Sequence, residues 1–185
     1  MKVTPTEHPD VLLVEANVFN DERGFFMESF HASRFSQENL PEKFVQDNHS
    51  RSSYGVLRGL HYQLKHPQGK LIRVVTGRVL DVALDIRKGS PRFGQWVGVE
   101  LSEDNHHQLY VPPGFAHGFC VLSERVDFLY KCTDYYAPGD EYGIAWNDPD
   151  LAIAWPDMEY VLSDKDQDFP TLSDSRNLPV YKADK

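Results

Sequence analysis

The sequence predicts an all-β protein, built as a sandwich or barrel of jelly-roll type. About nine or more short strand-like runs follow one another at roughly 8–12-residue spacing, which is typical of such folds. The 12 glycines and 12 prolines are scattered as turn residues rather than clustered. Helical periodicity is nearly absent, so an α/β alternation is not favoured. We expect a single domain over residues 1–185, with a C-terminal tail from about residue 150.

The first forty residues carry two strand signals and one helix signal. Residues 11–14 form a short apolar run, and an aromatic run at 25–30 follows a turn at 21–24. Residues 33–40 begin with a serine suited to an N-cap and continue with polar helix formers. Phe35 is the main apolar residue there, and the proline that follows should end the helix.

A run of polar side chains at residues 44–52 is typical of a loop, because Asn and Asp often bond their own backbone there. Gln46 and Asn48 nevertheless share a parity. If the segment were extended, both side chains would point to one side. The loop is the expected form, and the extended segment is the alternative.

Strand signals continue through the second half of the chain. In residues 78–86 the even positions are apolar, and the odd positions include Asp81 and Asp85, which is typical of an antiparallel strand packed on a core. In residues 126–132 the even positions again share one apolar face. Further strands are predicted at 93–101, 108–111 and 119–122, with residues 112–118 as an interruption.

Composition excludes several classes of function. The 28 acidic and 19 basic residues give a formal charge of −9, which argues against general nucleic-acid binding. The N-terminus lacks a signal-peptide pattern, and no apolar run approaches the ~20 residues of a membrane span. The two cysteines, Cys120 and Cys132, do not form a disulfide framework. We expect both to be small buried groups in a reducing cytoplasm.

The candidate functional residues concentrate around residues 56–73. Arg58, His61 and Lys70 lie close together in a stretch that is otherwise typical of strands. Lining one concave sheet, they would form a cationic pocket with a titratable base. In a barrel, His117 and Tyr130 would also face the interior. The alternative is a solvated edge strand that happens to be rich in positive charge.

A metal site is not favoured by the same residues. His61 and His117 could be ligands, but a catalytic zinc or iron site usually needs three protein ligands. No third ligand stands at a helpful spacing. Lys70 would repel a cation where a carboxylate would help. We therefore expect no metal.

Six motifs together carry a family resemblance. The motifs are Asp21-Glu-Arg-Gly-Phe-Phe, Phe44-Val-Gln-Asp-Asn-His-Ser, Val56-Leu-Arg-Gly-Leu-His-Tyr-Gln, Gln68-Gly-Lys, Pro112-Pro-Gly-Phe-Ala-His-Gly-Phe and Tyr130-Lys-Cys-Thr-Asp-Tyr-Tyr. They resemble those of the dTDP-4-dehydrorhamnose 3,5-epimerases, cupin-fold enzymes of dTDP-L-rhamnose synthesis, and the resemblance runs from about residue 11 to residue 166. It implies a jelly-roll barrel, a homodimer and catalysis without a cofactor, and Val121 stands where metal-binding cupins carry Asn.

The resemblance assigns catalytic roles to four residues. Epimerisation beside a ketone needs a base that removes a carbon-bound proton and an acid that returns one to the opposite face. By resemblance, His61 is the base and Asp166 orients it. Tyr130 is the acid, and Lys70 stabilises the enolate oxygen.

The resemblance also implies the contacts to a dTDP-4-keto-6-deoxyhexose. Arg58 and His117 are expected near the sugar and diphosphate, and Tyr136 is expected to stack on the thymine. Further binding positions follow from the motifs. The N-terminal strands of a partner subunit are expected to supply Arg23 and Glu28. The other positions that match the family's binding residues are Gln46, Asp47, Asn48, Glu141 and Lys165.

Two alternatives remain open at this point. The first is a monofunctional 3- or 5-epimerase, because related enzymes with the same barrel epimerise only one carbon. A sugar-nucleotide-binding cupin without catalysis is the other, although the joint presence of His61, Lys70, Tyr130 and Asp166 argues against it.

Overall fold

The computed structural model describes residues 1–182, so the last three positions of the predicted domain 1–185 lie outside the described residues. The described part is predominantly β, as predicted, and contains thirteen strands and two short helices. The strands are β1 Lys2–Pro5, β2 Leu12–Glu15, β3 Val18–Asp21, β4 Gly24–Met27, β5 Gln46–Ser53, β6 Leu57–Gln63, β7 Lys70–Thr76, β8 Arg78–Asp85, β9 Trp96–Ser102, β10 His107–Val111, β11 Phe115–Val121, β12 Arg125–Cys132 and β13 Glu141–Gly143. The helices are α1 Ala32–Gln37 and α2 Asp164–Gln167.

Two sheets pack against each other and enclose a shared core. One has the order β1-β2-β10-β7-β12-β5, the other has the order β13-β6-β11-β8-β9, and β3-β4 is a separate hairpin. Phe128 from the first sheet stacks on Phe119 from the second, with ring centroids 4.0 Å apart. Cys120 and Cys132 are both buried and free, as predicted.

The predicted alternation of side chains in β8 is confirmed, and the two faces of this strand pack against two different hydrophobic clusters. Val82 and Leu84 belong to a buried cluster that also contains Leu172 and Leu178 from the C-terminal segment. Asp81, on the opposite face, is fully buried as well. Because both faces are covered, the odd positions of this strand can carry functional groups into the space between the sheets.

The loop expected at residues 44–52 is wrong, because this stretch is β5, an edge strand paired antiparallel with β12. Backbone pairing along the whole of β12 outweighs the local preference of the polar side chains. The parity argument nevertheless applies: Gln46 and Asn48 are both half-buried, and Asp47 between them is exposed.

The interruption expected at residues 112–118 is also too long. Strand β11 begins at Phe115, so His117 lies in a central strand between β6 and β8 rather than in a loop. The turn is confined to residues 112–114, where Gly114 has φ +91°. Glycine adopts this left-handed conformation without strain, which lets the chain re-enter the sheet within a few residues.

Helix α1 starts one residue before the predicted serine. Its N-cap is His31, which makes no side-chain capping bond, so Ser33 is not the cap. Phe35 is buried at 2% exposure and anchors the helix on the six-stranded sheet, as predicted. Neither helix in the described part has the length and apolar character that a membrane-spanning helix requires.

Candidate active site

A cavity of about 340 Å³ lies between the two sheets. Strands of both sheets and helix α2 contribute to its wall, so residues distant in sequence meet there. Most of the predicted site residues line it, namely Asn48, Arg58, His61, Lys70, His117, Tyr130, Glu141 and Lys165.

His61 is held by a carboxylate from helix α2. Its Nε2 lies 2.5 Å from Oδ1 of Asp166, a residue 105 positions later in the chain. The ring of Phe169 packs edge-on against the imidazole, with centroids 5.5 Å apart. The other nitrogen, Nδ1, lies 4.0 Å from Oε1 of Glu141 on the cavity wall. The imidazole is therefore fixed, with Nδ1 as its nitrogen on the side of Glu141.

Asp166 is kept ionised although it is buried. Burial raises its pKa, but hydrogen bonds from His61, Ser163 and the backbone N–H of Gly59 outweigh it, so the pKa lies below its ordinary value. The Ser163 hydroxyl donates to Oδ2 at 2.7 Å. A charged carboxylate behind an imidazole stabilises the imidazolium that forms when the ring takes a proton.

A β-bulge brings Arg58 and His61 to the same cavity, although their strand parities differ. Strand β11 pairs His117 with His61 but Phe119 with Arg58, so β6 has one extra residue between them. Gly59 has φ +122°, and a Cβ there would lie 2.6 Å from the Cα of Gly118. The close approach of the two backbones therefore requires glycine on both strands.

Tyr130 and Lys70 come from the facing sheet. The Lys70 ammonium lies 6.0 Å from the centroid of the Tyr130 ring. Burial raises the pKa of Tyr130, and nearby Cys132 and Glu141 add to this, so the phenol keeps its proton at neutral pH. Burial also lowers the pKa of Lys70, which makes its proton easier to share with a substrate oxygen.

His117 has a carboxylate partner of its own. Its Nε2 lies 2.9 and 3.0 Å from the two oxygens of Asp81. Burial lowers the pKa of His117, and Asp81 offsets only part of that effect. The ring therefore favours the neutral form and donates Nε2–H to the carboxylate, which orients it toward the cavity wall.

A chain of polar contacts runs along the mouth of the cavity. Glu141 Oε2 accepts from Lys165 Nζ at 2.8 Å and from the Tyr136 hydroxyl at 3.4 Å. The backbone N–H of Tyr136 donates to Gln46 Oε1 at 2.8 Å, and Gln46 Nε2 donates to Asn48 Oδ1 at 3.0 Å. The structure thus brings five predicted binding residues into one network.

Five predicted binding residues do not line the cavity. Gln46 and Tyr136 contact its wall through Asn48 and Glu141, whereas among the described residues the other three make no such contact. Asp47 points to the other face of β5, where Lys131 donates to it at 2.9 Å. Arg23 lies in the exposed turn of the β3-β4 hairpin, and Glu28 accepts from Arg34 at 2.8 Å. Their roles as nucleotide contacts, for Arg23 and Glu28 across a dimer, stay predictions.

Two residues of the site escaped the sequence prediction. From the sequence, Asp81 is predicted only to lie on the less apolar face of a strand. An acidic residue inside such a strand indicates a buried hydrogen-bond partner. Ser163 precedes Asp166 by three residues, a spacing that indicates a helix N-cap and could have identified it.

The described residues contain no group of three or more His, Cys, Asp or Glu side chains that could hold a metal ion. The imidazoles of His61 and His117 each face a carboxylate of their own. Lys70, which lines the same cavity, places a cation beside them.

A model of the dTDP-4-dehydrorhamnose 3,5-epimerase family matches residues 5–174. The chain belongs to this family. The epimerase of this name from Pseudomonas aeruginosa is 54% identical over 181 residues, covering 97% of this chain and 100% of the relative. This confirms the predicted family and the predicted enzyme class, an isomerase.

Solved structures of the family agree with the fold. A dTDP-6-deoxy-D-glucose-3,5-epimerase from Legionella pneumophila, in complex with dTDP-4-keto-L-rhamnose, superposes with a TM-score of 0.96 at 51% identity, covering 98% of this chain and 99% of that one. The family also reaches to single-carbon enzymes. A dTDP-4-dehydrorhamnose 3-epimerase from Streptomyces niveus is 38% identical over 166 residues, covering 87% of this chain and 80% of that one.

Proposed function

We propose that the protein epimerises C3 and C5 of dTDP-4-dehydro-6-deoxy-D-glucose, giving dTDP-4-dehydro-L-rhamnose in dTDP-L-rhamnose synthesis. One observation carries the proposal. His61 from one sheet, held by Asp166 of helix α2, and Tyr130 with Lys70 from the facing sheet line a single cavity. A base and an acid on facing walls are what inversion beside a ketone requires.

His61 removes the proton. With Nε2 bonded to Asp166, the neutral ring presents Nδ1 as its free basic nitrogen. Nδ1 takes the proton from C3 or C5 of the sugar. The electron pair of the broken C–H bond forms a double bond to C4, and the carbonyl electrons move to O4 to give an enolate. The charge of Asp166 stabilises the imidazolium that results.

Tyr130 and Lys70 complete the step. Lys70 donates to the enolate oxygen, where a fixed cation acts on charge that develops during the reaction. Tyr130 gives its phenolic proton to the same carbon from the opposite face, so the centre inverts. The site is left with an imidazolium and a phenolate. Transfer of one proton between them through solvent restores both groups.

Polar residues around the cavity bind the nucleotide sugar. The Arg58 guanidinium is held by the Ser52 hydroxyl, which accepts from Nε and Nη2 at 3.2 Å each, and its planar fork suits a diphosphate. His117 lies beside the sugar. Tyr136, half-exposed at the mouth, offers its ring to the thymine.

The two sheets form a cupin-type jelly roll in a single domain over residues 1–185, with a tail from about residue 150. The active form is a cytoplasmic homodimer, and the exposed aromatic residues of the β3-β4 hairpin support this part of the proposal. Phe25 and Phe26 are 58% and 69% exposed. Apolar area of this kind is suited to an interface, and the same hairpin carries Arg23 toward a partner.

Incubation with dTDP-4-keto-6-deoxyglucose in deuterium oxide, followed by NMR, tests the proposal. We expect deuterium at both C3 and C5, together with the L-rhamno product. His61→Asn is the matched control, and it should bind dTDP but incorporate no label. No label with the wild-type protein would leave only a binding function.

A second candidate is a monofunctional 3-epimerase. The relative from Streptomyces niveus carries that name and matches most of this chain. Deuterium at C3 alone, with C5 unlabelled after prolonged incubation, would favour this candidate over double epimerisation.

A further inference from the structure

Ser163 makes two hydrogen bonds to one residue of the His61–Asp166 pair. It is the N-cap of helix α2, and its hydroxyl oxygen accepts from the backbone N–H of Asp166 at 3.2 Å. The same hydroxyl donates its proton to Oδ2 of Asp166 at 2.7 Å. The bond from the backbone N–H caps the helix, and the bond to Oδ2 holds the carboxylate in place.

The second bond departs from the usual pattern of a helix N-terminus. In a capping box, the acidic side chain three residues after the cap reaches back to the cap's own backbone N–H. In the described residues no such bond joins Asp166 to the Ser163 N–H. The carboxylate instead turns to His61 and to the N–H of Gly59, which donates to Oδ1 at 3.4 Å. The helix end is thus arranged around the imidazole.

We propose that Ser163 is a positioning residue for the reaction: its hydroxyl proton fixes Oδ2 of Asp166, so that Oδ1 faces Nε2 of His61. This inference rests on the proposed function. Rotation about the last torsion of an aspartate is soft, so contacts to Oδ1 alone do not define the plane of the carboxylate. The bond to Oδ2 supplies the second fixed point.

Ser163 can be substituted without disturbing the core, because it lies at the surface. Asp166 is 4% exposed, whereas Ser163 is exposed at the surface and directs only its hydroxyl inward. Its backbone has φ −75° and ψ 157°, which any residue adopts. Substitutions at this position can therefore change the hydroxyl without repacking the interior.

Loss of the hydroxyl should also change the pH dependence. The nearest titratable groups are Glu141 on β13, 4.0 Å from His61 Nδ1, and His117 on β11, which pairs with His61 across the sheet. The other charged or titratable groups that line the cavity are Arg58 on β6, Lys70 on β7, Tyr130 on β12 and Lys165 on α2. These stay unchanged in a Ser163 variant. Without the Ser163 donor, the Asp166 carboxylate loses one of the hydrogen bonds that lower its pKa, so Asp166 binds a proton at higher pH. The acid limb of the kcat/KM profile then moves upward.

Three variants separate capping from positioning. Ser163→Gly removes the hydroxyl, but glycine is well tolerated at an N-cap. Ser163→Thr keeps both bonds and should restore the wild-type behaviour. The matched control is Ser90→Ala. The Ser90 hydroxyl donates to buried Asp85 at 2.6 Å and accepts a backbone N–H at 3.1 Å, but neither residue lines the cavity.

Three readouts decide the outcome. We expect Ser163→Gly to lower kcat about tenfold with KM nearly unchanged, to move the acid limb to higher pH, and to raise the pKa of the Asp166 carboxyl followed by carbon-13 NMR in the free protein. Ser90→Ala should change neither kcat nor the Asp166 titration.

The NMR titration needs no turnover, so it still decides the proposal if the wild-type protein proves inactive on the proposed substrate. An Asp166 titration identical in Ser163→Gly and wild type would overturn the proposal. So would a loss of kcat that Ser163→Thr fails to restore.

Discussion

Asp166→Asn tests the carboxylate behind the proposed base with almost no change of shape. Asn keeps an oxygen that can accept from His61 Nε2, and the Gly59 N–H favours an oxygen at that position. The tautomer of the imidazole is therefore preserved. The variant removes the negative charge that stabilises the imidazolium after proton abstraction. It also replaces Oδ2, which accepts from the Ser163 hydroxyl, with an amide nitrogen that can only donate to that hydroxyl.

The size of the effect follows from the burial of the pair. The side chain of Asp166 is 4% exposed and that of His61 is 23% exposed, so water screens their interaction only in part. For charges centred about 4 Å apart at an effective dielectric constant near 20, the attraction is about 4 kcal/mol. At 1.36 kcal/mol per factor of ten, its loss from the transition state lowers kcat roughly 10³-fold.

The assay is the rate of deuterium incorporation into the keto sugar, which reports proton abstraction directly. Asp164→Asn is the matched control, because Asp164 lies on the same short helix, is exposed and does not line the cavity. It should retain the wild-type rate. A rate for Asp166→Asn within a few-fold of wild type would refute the reasoning, since His61 would then not require the charge.

The other side of the cavity and the core give two further predictions. Tyr130→Phe should leave deuterium exchange into the substrate but reduce product formation, because the acid is lost and the base is kept; equal loss of both would contradict its role. Leu84→Ala should lower the free energy of unfolding by about 2–5 kcal/mol in urea titrations, since Leu84 is fully buried. The exposed Val180→Ala should change it by less than about 0.5 kcal/mol, and a similar loss in both would contradict the assignment of the core.

Strands with one apolar and one mixed face could be predicted from the sequence. In β8 the even positions alternate with Asp81 and Asp85, and the period of two settles which side chains share a face. The same reasoning groups Phe128 and Tyr130 on β12, where they pack on the inter-sheet core. These features depend only on local pattern.

Features that depend on distant pairing could not be predicted in this way. Strand β5 is polar throughout, and only its ladder with β12 identifies it as a strand. The bulge at Gly59 reverses the parity between Arg58 and His61, which alternation alone would place on opposite faces. The contact of His61 with Asp166 joins residues 105 positions apart. The family resemblance supplied that pairing, and periodicity did not.

The environment of the cavity affects its ionisable groups in different ways. Burial favours the neutral forms, raising the pKa of Tyr130 and lowering the pKa values of Lys70 and His117. Asp166 is the exception, because its hydrogen bonds outweigh the same effect. A fixed negative charge therefore stands behind His61, while Tyr130 keeps a proton to give. This difference in hydrogen bonding, rather than the overall charge of the protein, supports the proposed roles, in which the imidazole removes the proton and the phenol returns it.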